Sequence, residues 1–176
     1  EAVPGIKKAV EMGLYVIVSD GDSNAPGFKY SHDKIVASTY DCDATLKAAL
    51  EYQKRNRKID GVICIAADVP LTVATLADKL GMKGISIATA KLSMDKLAMK
   101  ECFRKAGIPI PWFREVNSAD QLKEVFSQVK HGLIIKPVDS RGARGVLRLS
   151  DKTDFNWAFE QAKINSPSGR VMVEEF

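Results

Sequence analysis

The sequence predicts an α/β chain in two parts: a parallel sheet covered by helices, then a small α+β unit. Three observations carry this. Helical and strand-like runs alternate through about residues 1–88, the βαβ rhythm of a parallel sheet. Near residues 88–94 the order changes to strand–helix–strand–strand–helix–strand. In that second part, two apolar runs, Leu133–Ile135 and Val146–Leu149, flank a short cationic loop, as paired strands do.

Pro4 to Met12 reads as a helix, with Pro near its first turn and Gly13 as its stop. Tyr15–Val18 follows as a buried strand ending at Asp20, and Lys34–Ser38 is a second, short strand. Asp43–Arg55 is helical, with Leu46, Ala49 and Leu50 on one face. Gly61–Ala66 is a continuous apolar run and reads as a fully buried strand. Leu71–Leu80 is a helix stopped by Gly81, and Gly84–Ile87 is a further strand. A chain that opens on a helix feeding a parallel strand normally has a strand before it. The expectation is therefore a piece of a longer protein.

Met94–Ala106 is a helix with Asp95 at its start and Gly107 just past its end. Ile108–Phe113 is a proline-punctuated extended segment. Ser118 caps a helix running through Val129, and Asp120 and Gln121 suit its first turn. The hairpin, a helix near Thr153–Ile164 and a strand at Arg170–Val173 complete the order.

Composition excludes several classes. Hydrophobic residues make up 45% of the chain, enough for a packed core. The net charge of +4 is spread along the sequence, with no basic tract of the kind that binds nucleic acid. No apolar run approaches the roughly 20 residues needed to span a membrane. Cys42, Cys64 and Cys102 are odd in number and have no zinc spacing with His32 or His131. Together these predict a cytoplasmic protein with no membrane and no nucleic-acid partner.

The chemistry concentrates at Lys136. A lysine inside an apolar strand is costly to bury unless it meets an anion. The loop after it, Asp139-Ser140-Arg141-Gly142-Ala143-Arg144-Gly145, offers glycine backbone and guanidinium donors. A nucleotide polyphosphate satisfies all three features. A solvated hairpin whose lysine snorkels to the sheet edge is the alternative.

Several short segments recur here in a known order. Asp60-Gly-Val-Ile precedes Asp95-Lys96, which opens a helix ended by Ala106-Gly-Ile-Pro-Ile-Pro111. Ile135-Lys136-Pro137 then precedes the glycine-rich loop, and Val171-Met-Val-Glu174-Glu175-Phe176 follows. In order and spacing this resembles the ATP-grasp superfamily, notably the carbamoyl-phosphate synthase large chain, biotin carboxylase and purine-pathway carboxylases. The resemblance implies a pre-ATP-grasp, Rossmann-like domain over residues 1–90 with its first strand missing. It implies the N-terminal part of an ATP-grasp domain over residues 91–176.

The resemblance also implies roles for particular residues. Lys96 and Lys136 reach the nucleotide phosphates. Ser140, Arg141, Gly142, Ala143, Arg144 and Gly145 form a lid over them. Glu174 accepts from the adenine amino group, and the backbone at Glu175 and Phe176 runs beside the adenine edge. Lys96 as an exposed helix lysine and Glu174–Glu175 as a solvated strand end are the alternatives. Asp139 reads as a turn former, with the orienting of a loop donor as the alternative. Asp20 and Asn24–Gly27 line a substrate cleft in the first domain, and Asp68 caps a helix or faces a ligand.

The implied cofactors are ATP and magnesium, with the magnesium and ribose ligands downstream of Phe176. No residue of this stretch acts covalently. The implied activity is carboxylate–amine ligation through an acylphosphate, releasing ADP and phosphate. Bicarbonate phosphorylation of the carbamoyl-phosphate synthase type and a non-catalytic nucleotide-binding module are the alternatives. Small carboxylates and amines are the implied partners, with a homodimer possible. Residues 1–176 alone are expected not to turn over ATP. A nicotinamide-dependent oxidoreductase would need a Gly-x-Gly-x-x-Gly turn, and the sequence has none.

Overall fold

Local signals set most element boundaries. The structure, a computed structural model, describes residues 2–129 and 132–176. Lys130 and His131 lie outside the described residues. Two compact units divide the chain, Glu1–Lys91 and Leu92–Phe176.

In the first unit, α1 (Val3–Glu11) starts with proline in its first turn, and Gly13 follows at φ 79°. The strands β1 (Ile17–Asp20) and β2 (Asp33–Val36) pair in parallel, Ile17 opposite Asp33 and Asp20 opposite Val36. A 3-10 turn at Pro26–Tyr30 joins them. α2 (Cys42–Arg55) is capped by the Asp41 carboxylate, which accepts from the Ala44 N–H. Its buried face, Thr45, Ala49 and Tyr52, has helical spacing. α2 packs against α3 (Pro70–Lys79), which buries Ala74, Leu76 and Ala77. The residue before Pro70 is Val69, whose side chain makes no capping bond.

Two expected strands are not formed. Residues 61–66 carry no strand, and Ile63 and Ile65 are 80% and 52% exposed. Residues 84–86 are likewise irregular, and Ile87 opens a helix instead, α4 (Ile87–Met94). The physical reason is pairing. A buried strand needs ladder partners for its backbone. Among the described residues the parallel sheet consists of β1 and β2.

The second unit begins in α4. Asp95 caps α5 (Lys96–Lys105) through the Ala98 N–H, and Gly107 ends it at φ 70°. Then come β3 (Phe113–Val116), α6 (Ala119–Gln128, capped by Ser118), β4 (Leu133–Pro137), β5 (Leu147–Arg148), α7 (Phe155–Ile164, capped by Asp154) and β6 (Val171–Glu175). The antiparallel sheet has the order β3-β6-β4-β5.

Strand alternation gives this sheet two different faces. Val116, Leu133, Ile135, Val171 and Val173 point into a core closed by Leu122 and Val125 of α6 and Ala158, Phe159 and Ala162 of α7. The other face places Lys136 opposite Met172 and Glu174 opposite both Ile134 and Phe113. Leu97 of α5 packs there against Met172, Val138 and Phe113.

Candidate functional site

The second sheet face brings the cations together. Lys136 and Glu174 sit on adjacent strands, one diagonal step apart, within reach of a long side chain. The Lys136 ammonium donates to Glu174 Oε1. From α5, Lys100 Nζ stands 2.7 Å from Glu174 Oε2. Oε2 is buried with that ammonium beside it. Lys100 also lies 5.4 Å from the centre of the Phe113 ring. Side-chain exposures are 10% for Lys100, 16% for Lys136 and 14% for Glu174, so two ammonium groups share one carboxylate out of water. Burial pushes the Glu174 carboxyl up, but Lys100 and then Lys136 outweigh it and hold it below the usual carboxylate range.

Lys96 is held differently. Its ammonium donates to the carbonyl of Ser140 at 2.7 Å and to that of Val138 at 3.3 Å, and its backbone N–H donates to Val138 as well. The first turn of α5 is thereby stitched to the start of the loop after β4. Lys96 and Lys136 therefore each have their own partner and share none of these bonds.

The loop is anchored at its base and exposed at its tip. Asp139 accepts from the Ser166 hydroxyl and from the Ser168 N–H, tying the loop to the segment before β6. Asp139 thus orients a neighbouring loop and is not the local turn former expected from sequence. Gly142, Ala143 and Gly145 all take positive φ, at 62°, 57° and 71°. Ala143 is the sole non-glycine to do so among the described residues. Gly142, Ala143 and Arg144 are exposed, Ser140 and Arg141 half-buried. Arg144 Nε donates to the Arg141 carbonyl. The backbone N–H groups of Glu175 and Phe176 are engaged in the sheet, by the carbonyls of Trp112 and Gly132. The Phe176 ring is 65% exposed under the Arg148 guanidinium.

Sequence reasoning missed two groups, Lys100 and Arg170. Lys100 stands four residues after Lys96, a spacing that puts both on one helix face and could have flagged it. Arg170 donates to Glu115 at 2.8 Å and Asp95 at 2.7 Å, bracing the cap from which Lys96 starts. Burial raises the Asp95 carboxyl, but the Ala98 N–H and Arg170 outweigh it and leave it lowered.

In the first unit, Asn24 and Ala25 line an open hollow of about 600 Å³ with Lys29, His32, Asp33 and Lys34. Asp20 instead folds back to accept from the Asp22 N–H. The buried charge lies in the other unit, and charge rather than volume marks the candidate site. Among the described residues no cluster of three or more His, Cys, Asp or Glu is placed to hold a metal. No described helix is long and apolar enough to cross a membrane.

The four-stranded sheet with its lysines follows a parallel α/β unit along the chain. No family model matches the sequence. The chain is 27% identical over 179 aligned residues to a formate-dependent phosphoribosylglycinamide formyltransferase of Xanthomonas campestris, covering 98% of this chain and 44% of that protein. Its fold matches an ADP complex of N5-carboxyaminoimidazole ribonucleotide synthetase, with TM-score 0.71, 20% identity and coverage of 97% and 43%. It also matches the biotin carboxylase domain of the Hydrogenobacter thermophilus 2-oxoglutarate carboxylase, with TM-score 0.73, 17% identity and coverage of 99% and 42%. Over almost its whole length the chain is thus similar in sequence and in fold to ATP-grasp proteins. It spans less than half the length of these relatives.

Proposed function

We propose that the second unit is the phosphate-facing and adenine-facing part of an ATP site in a carboxylate–amine ligase. The observation that carries this is the Lys100–Glu174–Lys136 cluster. Two buried cations on one carboxylate leave an excess positive charge in a poorly solvated place, and an anion relieves it. Lys136 turns from Glu174 to phosphate, and Lys96 holds the base of the loop that closes over it. Closure of the Ser140–Gly145 segment excludes water. Glu174, kept ionised, accepts from the adenine amino group. The first unit, residues 1–90, supplies substrate contacts, and the hollow at Asn24 and His32 is where they would lie.

The relatives support the ligase reading in coarse form. The formyltransferase is named for formate, a carboxylate, and for an amide-bearing acceptor. An acylphosphate intermediate fits cations arranged to bring two anions together. Magnesium, when bound, would supply neutralisation of the charge that develops during phosphoryl transfer. Among the described residues no group of three or more His, Cys, Asp or Glu could hold the ion.

The test is equilibrium ATP binding by the chain and by Lys136→Met. The expected result is a loss of affinity of about tenfold or more, the scale of one charge-assisted contact. Unchanged affinity would overturn the reading. In single turnover, residues 1–176 alone are expected to form no ADP.

A further inference from the structure

We propose that Lys100 is a positioning residue for base recognition: it keeps the Glu174 carboxylate in place as a charged acceptor once Lys136 has left it for phosphate. This rests on the ATP-site reading above and adds a residue to it.

The argument starts from burial. Lys100 is 8% exposed, in the middle of α5, a place where a lysine is retained only with a partner. Its partners are Glu174 Oε2 and the face of Phe113. The backbone carbonyls that anchor Lys96 belong to Val138 and Ser140, so the two lysines of this helix face do different jobs. Lys136 occupies the other Glu174 oxygen. If Lys136 alone paired with Glu174, moving it to phosphate would strand a buried carboxylate. That cost would oppose nucleotide binding. With Lys100 fixed on Oε2, the carboxylate stays neutralised, and Oε1 is vacated facing the place Lys136 left.

An ionised carboxylate accepts and cannot donate. It therefore suits a base carrying an exocyclic amino group and repels one carrying a carbonyl there. Lys100 thus acts on base choice through Glu174, whereas Lys136 acts on phosphate. Among the described residues, Lys100 from α5 and Lys136 from β4 are the cations paired with Glu174.

The experiment measures binding of ATP, GTP and inorganic tripolyphosphate to the chain, to Lys100→Met, to Glu174→Gln and to the double variant. Lys100→Met is expected to narrow the preference for ATP over GTP by about tenfold, and Glu174→Gln to narrow it similarly. In the double variant the losses are expected not to add, since both act through one carboxylate. Tripolyphosphate binding in the Glu174→Gln background is expected to be indifferent to Lys100→Met. Additive losses, or a tripolyphosphate loss that persists in that background, would make Lys100 a phosphate ligand and overturn the proposal. So would an unchanged ATP preference in Lys100→Met. If the methionine variant does not fold, Lys100→Gln replaces it with the same expectations. Failure of the underlying ATP-site reading shows separately, as ATP affinity indifferent to Lys136→Met.

Discussion

The two units treat their apolar strands in opposite ways. In the second unit, Leu133, Ile135, Met172 and Val173 are fully buried, each in a strand whose backbone is paired. In the first, Ile63, Ile65 and Ile85 are at least half exposed in segments with no strand pairing. The four strands of the second unit find ladder partners in one another, whereas residues 61–66 and 84–86 of the first find none among the described residues. The contrast is breakable by truncation. Ile135→Ala should cost about 2–5 kcal/mol in urea unfolding, the cost of a cavity in a rigid core. Ile63→Ala should stay within about 0.5 kcal/mol. A large loss at Ile63 would mean that this segment is buried in solution, and the difference between the units would collapse.

The loop of the second unit sharpens the comparison at smaller scale. Gly142 and Gly145 share left-handed backbone, but their surroundings differ. A Cβ at Gly142 would meet nothing within 4 Å. At Gly145 it would lie 2.9 Å from Asn165 and Pro137 side chains and 3.0 Å from the Gln161 carbonyl. Gly142→Ala should therefore cost about 1 kcal/mol, the left-handed penalty alone. Gly145→Ala should cost about 2–3 kcal/mol, because overpacking adds to it. Equal thermal shifts for the two would show that the loop's far end is not packed against α7.

Much of the second unit was legible because its signals are local. Ser118 and Asp95 cap the helices that they were expected to start. The apolar runs around the loop pair as β4 and β5. Lys136 was legible as a lysine out of place in a strand. Lys100 was not, because its burial is made by Phe113 and Glu174, which arrive from two later strands. Arg170 was hidden for the same reason, with partners on β3 and at the start of α5. The runs 61–66 and 84–87 failed in the other direction. An apolar run reports a capacity for burial but names no partner.

Ionisation separates the units again. In the second unit Asp95 and Glu174 both titrate below their ordinary values. Each contributes stability that is present above its unfolded pKa, 3.8 and 4.5 respectively, and is lost as pH falls through the lowered folded value. Asp95→Asn keeps a capping side chain but removes the charge that Arg170 meets. Because Arg170 is 41% exposed, solvent screens the pair, and the cost at neutral pH should be roughly 1 kcal/mol or less. Unfolding midpoints followed from pH 6 downward should fall less steeply in Asp95→Asn than in the parent, a window set by the carboxylate range. Identical slopes would remove Asp95 from the acid response and leave Glu174 to account for it.

The first unit should respond at the alkaline end. Tyr52 of α2 donates to Asp33 at the start of β2 over 2.9 Å, linking helix to sheet. Burial first, and then the bond to Asp33, push its phenol up to about 12. A raised folded value means that the linked stability is fully present below the unfolded value of 10.0 and drains away as pH rises through about 12. Ultraviolet titration of tyrosinate should therefore show a step near 12 that Tyr52→Phe abolishes and Asp33→Asn moves downward, because the amide carries no charge to oppose the phenolate. A titration of Tyr52 near 10 would mean that the helix does not shield this phenol. The first unit would then be as loosely held at α2 as it is along residues 61–66.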